Sequence, residues 1–300
     1  MLDQLNQRLK SVMLSSGKIG GCATGAFVNG LRNLSAFQKM TGKKLAVILF
    51  YVHWLDAFPL ADVEVMHNNG SVPLLTWEPW VSHSKGTLEA IASREPDDYV
   101  RQFIQAAKDW GKPLLLRFAH EMNGDWYPWD GFHNGQDTAA KKYKNAWAYI
   151  YNVRQELKAD NIELVWSPNN NDQPAADWNR MENYFPGDQY VDWVAVDGYN
   201  WGFSKWEPFA AVFGQIYQRV TQLSSQPIMI GEFGSAEQGG DKAAWIKEAF
   251  HMIKTQYPKI KAFCWFDINK ERDWRVNSTE ISLKAYRQGI SNSYFTEILI

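Results

Sequence analysis

The sequence is poor in several features that mark special classes of protein. Its 300 residues include only two cysteines, Cys22 and Cys264, too few for a disulfide framework or a cysteine-rich metal site. The formal net charge is −2, which argues against the basic surface that nucleic acid and anionic membranes require. No stretch approaches the roughly 20 apolar residues of a membrane span. A globular protein without a nucleic-acid or membrane partner is expected.

Aromatic residues, in contrast, are abundant. The chain has 15 tryptophans and 13 tyrosines, and flat aromatic faces suit the stacking of sugar rings. The alternative for any single tryptophan is a place in the core. The excess therefore favours a carbohydrate ligand without identifying the residues that contact it.

Eight short apolar runs recur along the chain, separated by longer segments with helical periodicity. Continuous rather than alternating apolarity predicts strands that are covered on both faces, as in parallel sheets. The predicted strands are Lys18–Thr24, Lys44–Tyr51, Val72–Trp77, Pro113–His120, Ile162–Ser167, Trp193–Gly198, Pro227–Glu232 and Ile260–Asp267.

The repeated alternation of strand and helix predicts an α/β fold, a single (β/α)₈ TIM barrel that occupies residues 1–300. The alternative is an open doubly wound sheet. That fold would favour a phosphate loop after the first strand, but Gly20–Gly25 lacks the Lys-Ser/Thr of such a loop. Cys22 and Cys264 fall on the first and last strands, which adjoin in a closed barrel. They are expected to be free, buried thiols, since adjacent barrel strands rarely suit disulfide geometry.

A glutamate stands at the end of two of the predicted strands. Glu121 directly follows the fourth strand, in Arg117-Phe-Ala-His-Glu121, and Glu232 is the last residue of the seventh, in Ile230-Gly-Glu232. In a barrel the carboxyl ends of all strands open onto one rim, where barrel enzymes place their chemistry. Hydrolysis of a glycosidic bond needs one protonated and one ionised carboxyl group. Either glutamate alone could form a rim salt bridge, but the pair predicts a glycosidase.

A metal site is not expected, nor is any cofactor. The zincin pattern His-Glu-x-x-His fails after His120 because Gly124 stands where the second histidine is required. The remaining histidines show no ligand spacing, and there is no Gly-x-Ser-x-Gly elbow of a serine esterase.

The densest segments resemble glycoside hydrolase family 26, a retaining (β/α)₈ family. They are Arg117-Phe-Ala-His-Glu-Met-Asn-Gly-Asp-Trp126, Val194-Ala-Val-Asp-Gly-Tyr-Asn-Trp201 and Ile230-Gly-Glu-Phe-Gly234. The resemblance implies that Glu121 is the acid/base and Glu232 the nucleophile. It also implies that His120 matches the histidine before the acid/base, Tyr199 the tyrosine bonded to the nucleophile, and Trp265 the platform under the cleaved sugar.

Elementary electrostatics agrees with these roles. The acid needs a raised pKa, from apolar surroundings or from the other carboxylate, whereas the nucleophile needs donors such as Tyr199 and a cation such as Arg117. A retaining mechanism predicts carboxyl groups about 5–5.5 Å apart, against about 6.5–9.5 Å for inversion.

Further predicted substrate contacts share a position at or just after a strand end. For the tryptophans among them the alternative is a packed layer inside the barrel, and for the asparagines a role in turn geometry. They are Trp126, Tyr127, Trp129, Trp201, Asn123, Trp77, Glu78, Trp166, Asn169, Tyr51 and His53.

Substrate choice is the finest expectation. Asp125-Trp-Tyr-Pro-Trp-Asp-Gly131 departs from the Trp-Phe-Trp-Trp-Gly often found in mannanases of the family and is more similar to its glucanase-type members. An endo-acting enzyme on mixed-linkage β-1,3-1,4-glucan is favoured, with an endo-β-1,4-mannanase or β-1,3-xylanase as alternatives and a non-catalytic glycan-binding barrel as a remote one. A monomer that is secreted or displayed at the cell surface is expected, although Met1–Asn6 lacks the regions of a signal peptide.

Overall fold

The strands form one parallel sheet. The structure, a computed structural model, describes residues 20–80 and 87–299. Its strands are β1 (Cys22–Phe27), β2 (Val47–His53), β3 (Val72–Glu78), β4 (Leu114–Phe118), β5 (Ile162–Trp166), β6 (Trp193–Asn200), β7 (Ile228–Ser235), β8 (Ile260–Phe266) and the short β9 (Phe295–Thr296).

Helices connect successive strands and cover the outside of the sheet. Several carry a stripe of buried apolar residues, such as Val100, Phe103, Ile104 and Ala107 on one helix. The α-helices are α1 (Leu34–Thr41), α2 (Leu60–Asn68), α3 (Thr87–Ala92), α4 (Asp97–Trp110), α5 (Ala139–Glu156), α6 (Met181–Tyr184), α7 (Phe209–Leu223), α8 (Lys242–Thr255) and α9 (Glu280–Ile290). Within the described ranges no helix is both long and apolar enough to cross a membrane.

The sheet closes on itself. Strands β2 to β8 follow one another in order, β8 pairs with β1, and β1 pairs with β2. Every pairing is parallel, and β9 adds to β1 at the edge of the barrel. The predicted (β/α)₈ barrel is confirmed, and the open doubly wound sheet is excluded.

Side-chain alternation divides the core into two layers. Odd-numbered residues of β2 and even-numbered residues of β3, such as Leu49 and Leu74, belong to the cluster inside the barrel. Their neighbours in sequence, such as Ile48 and Leu75, belong to the larger cluster between barrel and helices. The parity of a strand residue therefore decides whether its side chain reaches the barrel interior, where the rim opens.

The first strand lies further along the chain than the sequence predicted. It runs over Cys22–Phe27 instead of Lys18–Thr24, whose first two residues lie outside the described ranges. It continues through Gly25 because this glycine lies against β2 and β8. A Cβ there would come within 2.6 Å of the Phe263 carbonyl oxygen and 2.9 Å of that of Val47.

The two cysteines have the predicted state. Cys22 on β1 and Cys264 on β8 are both free and buried. Burial raises the pKa of each thiol far above its usual range, so neither is a reactive thiolate.

Gly25→Ala is expected to destabilise the barrel by about 1–3 kcal/mol, because the added methyl group overpacks the junction of three strands. Urea unfolding monitored by tryptophan fluorescence measures the change. Gly20→Ala is the matched control, since a Cβ at Gly20 meets nothing within 4 Å. Equal stability of the two variants would contradict the close packing at Gly25.

Candidate active site

A β-bulge turns Glu232 into the barrel. The register between β6 and β7 shifts so that Val196 pairs with Ile230 and Asp197 with Glu232, leaving Gly231 as the extra residue. The extra residue must be small, since a Cβ on Gly231 would come within 2.5 Å of Asp197 Oδ1. The bulge thus brings the Glu232 carboxylate into the interior at the rim.

Three donors from the described part of the chain surround the Glu232 carboxylate. Oε1 accepts hydrogen bonds from the Tyr51 hydroxyl and from Arg117 Nη2, both at 2.5 Å, and Oε2 accepts one from the Tyr199 hydroxyl at 2.7 Å. Burial alone would raise the pKa of Glu232. The Arg117 cation and the two hydroxyl donors outweigh burial, so the pKa falls to about 2. Glu232 is held as an anion.

Arg117 is the cation beside Glu232 at the open, carboxyl-terminal end of the barrel interior, which we call the mouth. Its side chain is wholly buried, and Nη1 lies 3.0 Å from both carboxyl oxygens of Asp197. Nε donates to Thr76 Oγ1 at 2.8 Å. Arg117 therefore bridges the carboxyl groups of Asp197 and Glu232 and has its planar fork fixed by strands β3, β6 and β7.

Glu121 follows β4 in a turn rather than on the strand. Ala119 and Glu121 have positive φ angles of 45° and 52°, so β4 ends at Phe118, two residues before the predicted end. The Glu121 amide donates to the carbonyl of Ser167 at 2.7 Å. A residue in this strained conformation persists only when its surroundings impose it, as active sites commonly do.

Among residues 20–80 and 87–299, no cation is in hydrogen-bond contact with the Glu121 carboxyl group. Its oxygens accept from Trp126 Nε1 and Asn169 Nδ2, both at 2.9 Å. Burial and the nearby charge of Glu232 raise the pKa of Glu121 to about 7, against the smaller opposite effect of its two donors. The two glutamates are thus buried in one mouth, 7% and 6% exposed, with pKa values moved in opposite directions.

The His120 imidazole lies close to Tyr127 and to Glu232. Its Nε2 is 3.2 Å from the Tyr127 hydroxyl and 3.9 Å from Glu232 Oε1. Burial and the adjacent Arg117 lower the pKa of His120 to about 3. The imidazole is therefore neutral and available for hydrogen bonding rather than for charge.

Other predicted site residues lie around this mouth. Trp126 and Trp201 are each 40% exposed at the rim. Tyr127 is half-buried and stacks on Trp129, with centroids 4.3 Å apart. Glu78 ends β3 near Glu232, and burial followed by that neighbouring charge raises its pKa to about 7. His53 is exposed at the end of β2.

Three predicted substrate contacts are wrong in this structure. Trp77, Trp166 and Trp265 are fully buried in the layer between barrel and helices. Trp265, expected as the platform under the sugar, packs against Phe233 at 4.8 Å and Tyr286 at 5.4 Å. Their parity on the strands points them away from the interior, so no ring face reaches the mouth.

Two further predicted contacts support the site from beneath. Trp129 is fully buried, and its Nε1 donates to the His120 carbonyl at 2.7 Å. Asn123 is also buried. Its Nδ2 donates to the Asn169 carbonyl, and its Oδ1 accepts from the Asn169 amide at 2.8 Å. Asn123 thus fixes the backbone of the residue that bonds Glu121.

The sequence reasoning missed Asp197 and Trp274. Asp197 was visible as a carboxylate inside an apolar strand, with the same parity as Tyr199, which signals a buried partner. Trp274 lies in the loop after β8, where the periodicity gave no signal. Its ring packs 4.8 Å from Tyr199 and 5.3 Å from Trp201. Lys242 fixes that loop by donating to the carbonyls of Asp273 and Arg275.

Within residues 20–80 and 87–299, no group of three or more histidine, cysteine, aspartate or glutamate side chains is arranged to hold a metal ion. The described site contains the carboxyl groups of Glu121 and Glu232, with Arg117 bonded to Glu232 and Asp197 and with aromatic side chains around them.

Comparison with known proteins identifies the family of this chain. Residues 81–291 match the sequence profile of Glycosyl hydrolase family 26. The chain is also 38% identical over 282 residues to Endoglucanase H of Acetivibrio thermocellus, a match that covers 90% of this chain and 30% of that protein. The chain belongs to glycosyl hydrolase family 26.

A second relative of this family 26 chain is Mannan endo-1,4-beta-mannosidase A and B of Caldalkalibacillus mannanilyticus. It is 30% identical over 185 residues, which cover 60% of this chain and 33% of that protein. The chain thus spans about a third of the length of these two relatives.

Solved structures agree with a family 26 barrel. Bacillus subtilis mannanase man26 superposes with a TM-score of 0.71 at 19% identity, covering 96% of this chain and 91% of that one. GH26A from Muricauda sp. MAR_2010_75 superposes with a TM-score of 0.69 at 18% identity, covering 98% and 96%. These likenesses support the fold.

Asp197→Ala is expected to lower the free energy of unfolding by about 3–5 kcal/mol, because it breaks a buried ion pair and leaves Arg117 with one carboxylate. Chemical denaturation measures the loss. Glu156→Ala is the control, because it removes a carboxylate from the exposed pair with Arg101, and it should unfold like the wild type. A loss no larger than that of the control would contradict a structural role for the Arg117–Asp197 pair.

Proposed function

We propose that this family 26 protein is a retaining, endo-acting glycoside hydrolase, with Glu121 as acid/base and Glu232 as nucleophile. The observation that carries the proposal is the contrast between the two buried carboxyl groups. One has its pKa raised to about 7 and the other has its pKa lowered. One mouth therefore holds an acid and an anion at the same pH, as glycoside cleavage requires.

In the first step the Glu121 O–H donates its proton to the glycosidic oxygen while the bond from that oxygen to the anomeric carbon breaks. A carboxylate oxygen of Glu232 forms the new bond to the anomeric carbon. The leaving part of the chain departs as an alcohol, and Glu121 is left ionised.

In the second step a water molecule attacks the anomeric carbon from the side that the leaving group vacated. The Glu121 carboxylate takes one proton from this water, and the bond to Glu232 breaks. The sugar leaves with its original anomeric configuration, and both carboxyl groups return to their starting states.

The surrounding groups have supporting roles in this proposal. Arg117, Tyr51 and Tyr199 orient Glu232 and stabilise its charge, which returns when the covalent intermediate is hydrolysed. Asn169 and Trp126 orient Glu121 by one hydrogen bond to each oxygen. Neutral His120, near Tyr127 and Glu232, is suited to bind a sugar hydroxyl.

For the substrate we favour mixed-linkage β-1,3-1,4-glucan. Support comes from the departure of Asp125–Gly131 from the mannanase-type sequence and from the 38% identity to a protein named Endoglucanase H. Endo-β-1,4-mannan hydrolysis is the second candidate, favoured by a relative named as a mannosidase. β-1,3-Xylan is a third, since a relative named Beta-1,3-xylanase TXYA from Vibrio sp is 22% identical over 208 residues. A non-catalytic glycan-binding barrel is disfavoured because both glutamates are present.

The remaining proposals concern the whole protein. We also propose that residues 1–300 form one catalytic domain and that the protein is a monomer. Secretion or display at the cell surface suits an enzyme whose substrate is a polymer too large to enter a cell. The relatives' greater length leaves room for further modules beside such a domain.

The pH dependence of kcat/KM tests the assignment of the acid. Activity on the preferred polymer is expected to fall as the pH rises through about 7, the raised pKa of Glu121, because the acid then loses its proton. Towards lower pH the activity should persist, because the pKa of Glu232 is lowered and the nucleophile stays ionised. An alkaline limb unchanged in Glu121→Ala would contradict the assignment.

Two variants separate the roles in the same assay. Glu232→Ala should abolish turnover of every substrate, since no covalent bond can form. Glu121→Ala should lose polymer hydrolysis but keep the first step on an aryl glycoside, whose leaving group needs no proton. Near-normal hydrolysis by Glu232→Ala would remove that residue as nucleophile.

The substrate class is tested by reducing-sugar release from barley β-glucan, lichenan, glucomannan, galactomannan and β-1,3-xylan, measured side by side. We expect the highest kcat/KM on barley β-glucan and lichenan. Galactomannan as the preferred polymer would overturn the glucan assignment, and binding without release from any polymer would favour the non-catalytic barrel.

A further inference from the structure

Two exposed aromatic rings flank one guanidinium group beside the mouth. Trp201 and Phe203, in the segment after β6, are 40% and 55% exposed. Arg272, from the loop after β8, lies over both rings, 5.9 Å and 5.1 Å from their centroids. Its Nε also donates to the Trp201 carbonyl at 3.1 Å. We call Trp201, Phe203 and Arg272 the outer platform.

The backbone holds Phe203 in an unfavourable conformation. Its φ angle is 53°, in the left-handed region that bulky side chains rarely adopt. Its amide donates to the Gln238 carbonyl at 2.7 Å. The adjoining Gly239 admits this approach, since a Cβ there would lie 2.4 Å from Phe203 N. Two loops are thus fitted together so that a strained residue presents its ring to solvent, which points to function.

A continuous series of rings joins the outer platform to Glu232. The Tyr199 hydroxyl donates to Glu232, and the Tyr199 ring packs 4.8 Å from Trp274. Trp274 in turn meets Trp201 edge-on at 5.3 Å. The outer platform therefore lies on the same rim as the carboxyl pair and extends the mouth outward on the side of the nucleophile.

We propose that the outer platform binds a further sugar unit of the same polysaccharide chain, at a distance from the bond that is cleaved. The inference rests on the proposed function and deepens it. A β-linked pyranose presents flat C–H faces that pack on aromatic rings, while its hydroxyl oxygens accept hydrogen bonds from a guanidinium group. These are the two kinds of group that the outer platform offers to solvent.

The extent of the outer platform also favours a chain of sugars over a protein partner. Specific protein interfaces bury about 800 Å² on each partner, whereas the outer platform consists of three side chains. An extended polymer that leaves the mouth needs only such a narrow surface, and binding it there raises the local concentration of substrate at the mouth.

The test compares long and short substrates in the variants Phe203→Asn and Arg272→Gln. Asparagine tolerates the left-handed conformation at residue 203, so this change removes the ring without new strain. For each variant we expect the KM for the preferred polymer to rise by about tenfold, equivalent to 1.4 kcal/mol. The KM for the shortest oligosaccharide that is cleaved should change much less, as should kcat on the polymer.

Ile281→Ala is the matched control, since Ile281 on α9 is 70% exposed and lies outside the outer platform. An unchanged KM for the polymer in both variants, or an equal rise for short and long substrates, would overturn the proposal.

Affinity electrophoresis in gels that contain barley β-glucan or galactomannan separates this inference from the proposed function. If the migration of the wild type is retarded in such a gel and that of the two variants is not, the outer platform binds glycan even where no polymer is cleaved. Equal retardation of variants and wild type would contradict it. Absence of cleavage by the wild type would count against the proposed hydrolysis alone.

Discussion

The ionic contact of Arg117 with Asp197 and Glu232 is the constraint on which the site depends. A guanidinium group without exposure is tolerated only when its donors are satisfied, and Arg117 meets Asp197, Glu232 and Thr76 at once. The same contact pairs the guanidinium group directly with Glu232, whereas the donors to Glu121 in the described part of the chain are an amide and an indole. One buried charge thus makes two identical side chains chemically different.

Much of the barrel could be predicted because its strands are nearly continuous apolar runs and its helices carry apolar stripes. Because these runs are apolar throughout, they did not show which side chains point into the barrel. Trp77, Trp166 and Trp265 end apolar runs just as Tyr51 and Tyr199 do, but their side chains face the opposite side of the sheet. Where both faces of a strand are apolar, composition does not reveal which residues point inward. The polar residues do, since Thr76, Arg117 and Asp197 need partners within the barrel.

Two local features could not be predicted from single segments of the sequence. Gly25 resembles a strand breaker in sequence, yet it lies inside β1 because two neighbouring strands leave no space for a side chain. Gly231 forms the bulge that turns Glu232 inward. At each glycine the space for a side chain is limited by residues that are distant in the sequence. This constraint is therefore visible only in the closed barrel. The placement of Glu121 and Glu232 on one rim, in contrast, follows from strand order alone.

Backbone strain occurs at both ends of the aromatic surface. Glu121 and Phe203 both have positive φ angles, 52° and 53°, and each is held by a hydrogen bond from its own amide to another loop. Between them lie Glu232 and the rings of Tyr199, Trp274 and Trp201. Strain of this kind lowers stability and persists where the surrounding structure fixes it. Its placement at both ends agrees with the proposal that the surface from Glu121 to Phe203 binds one glycan chain, longer than the two sugars that flank the cleaved bond.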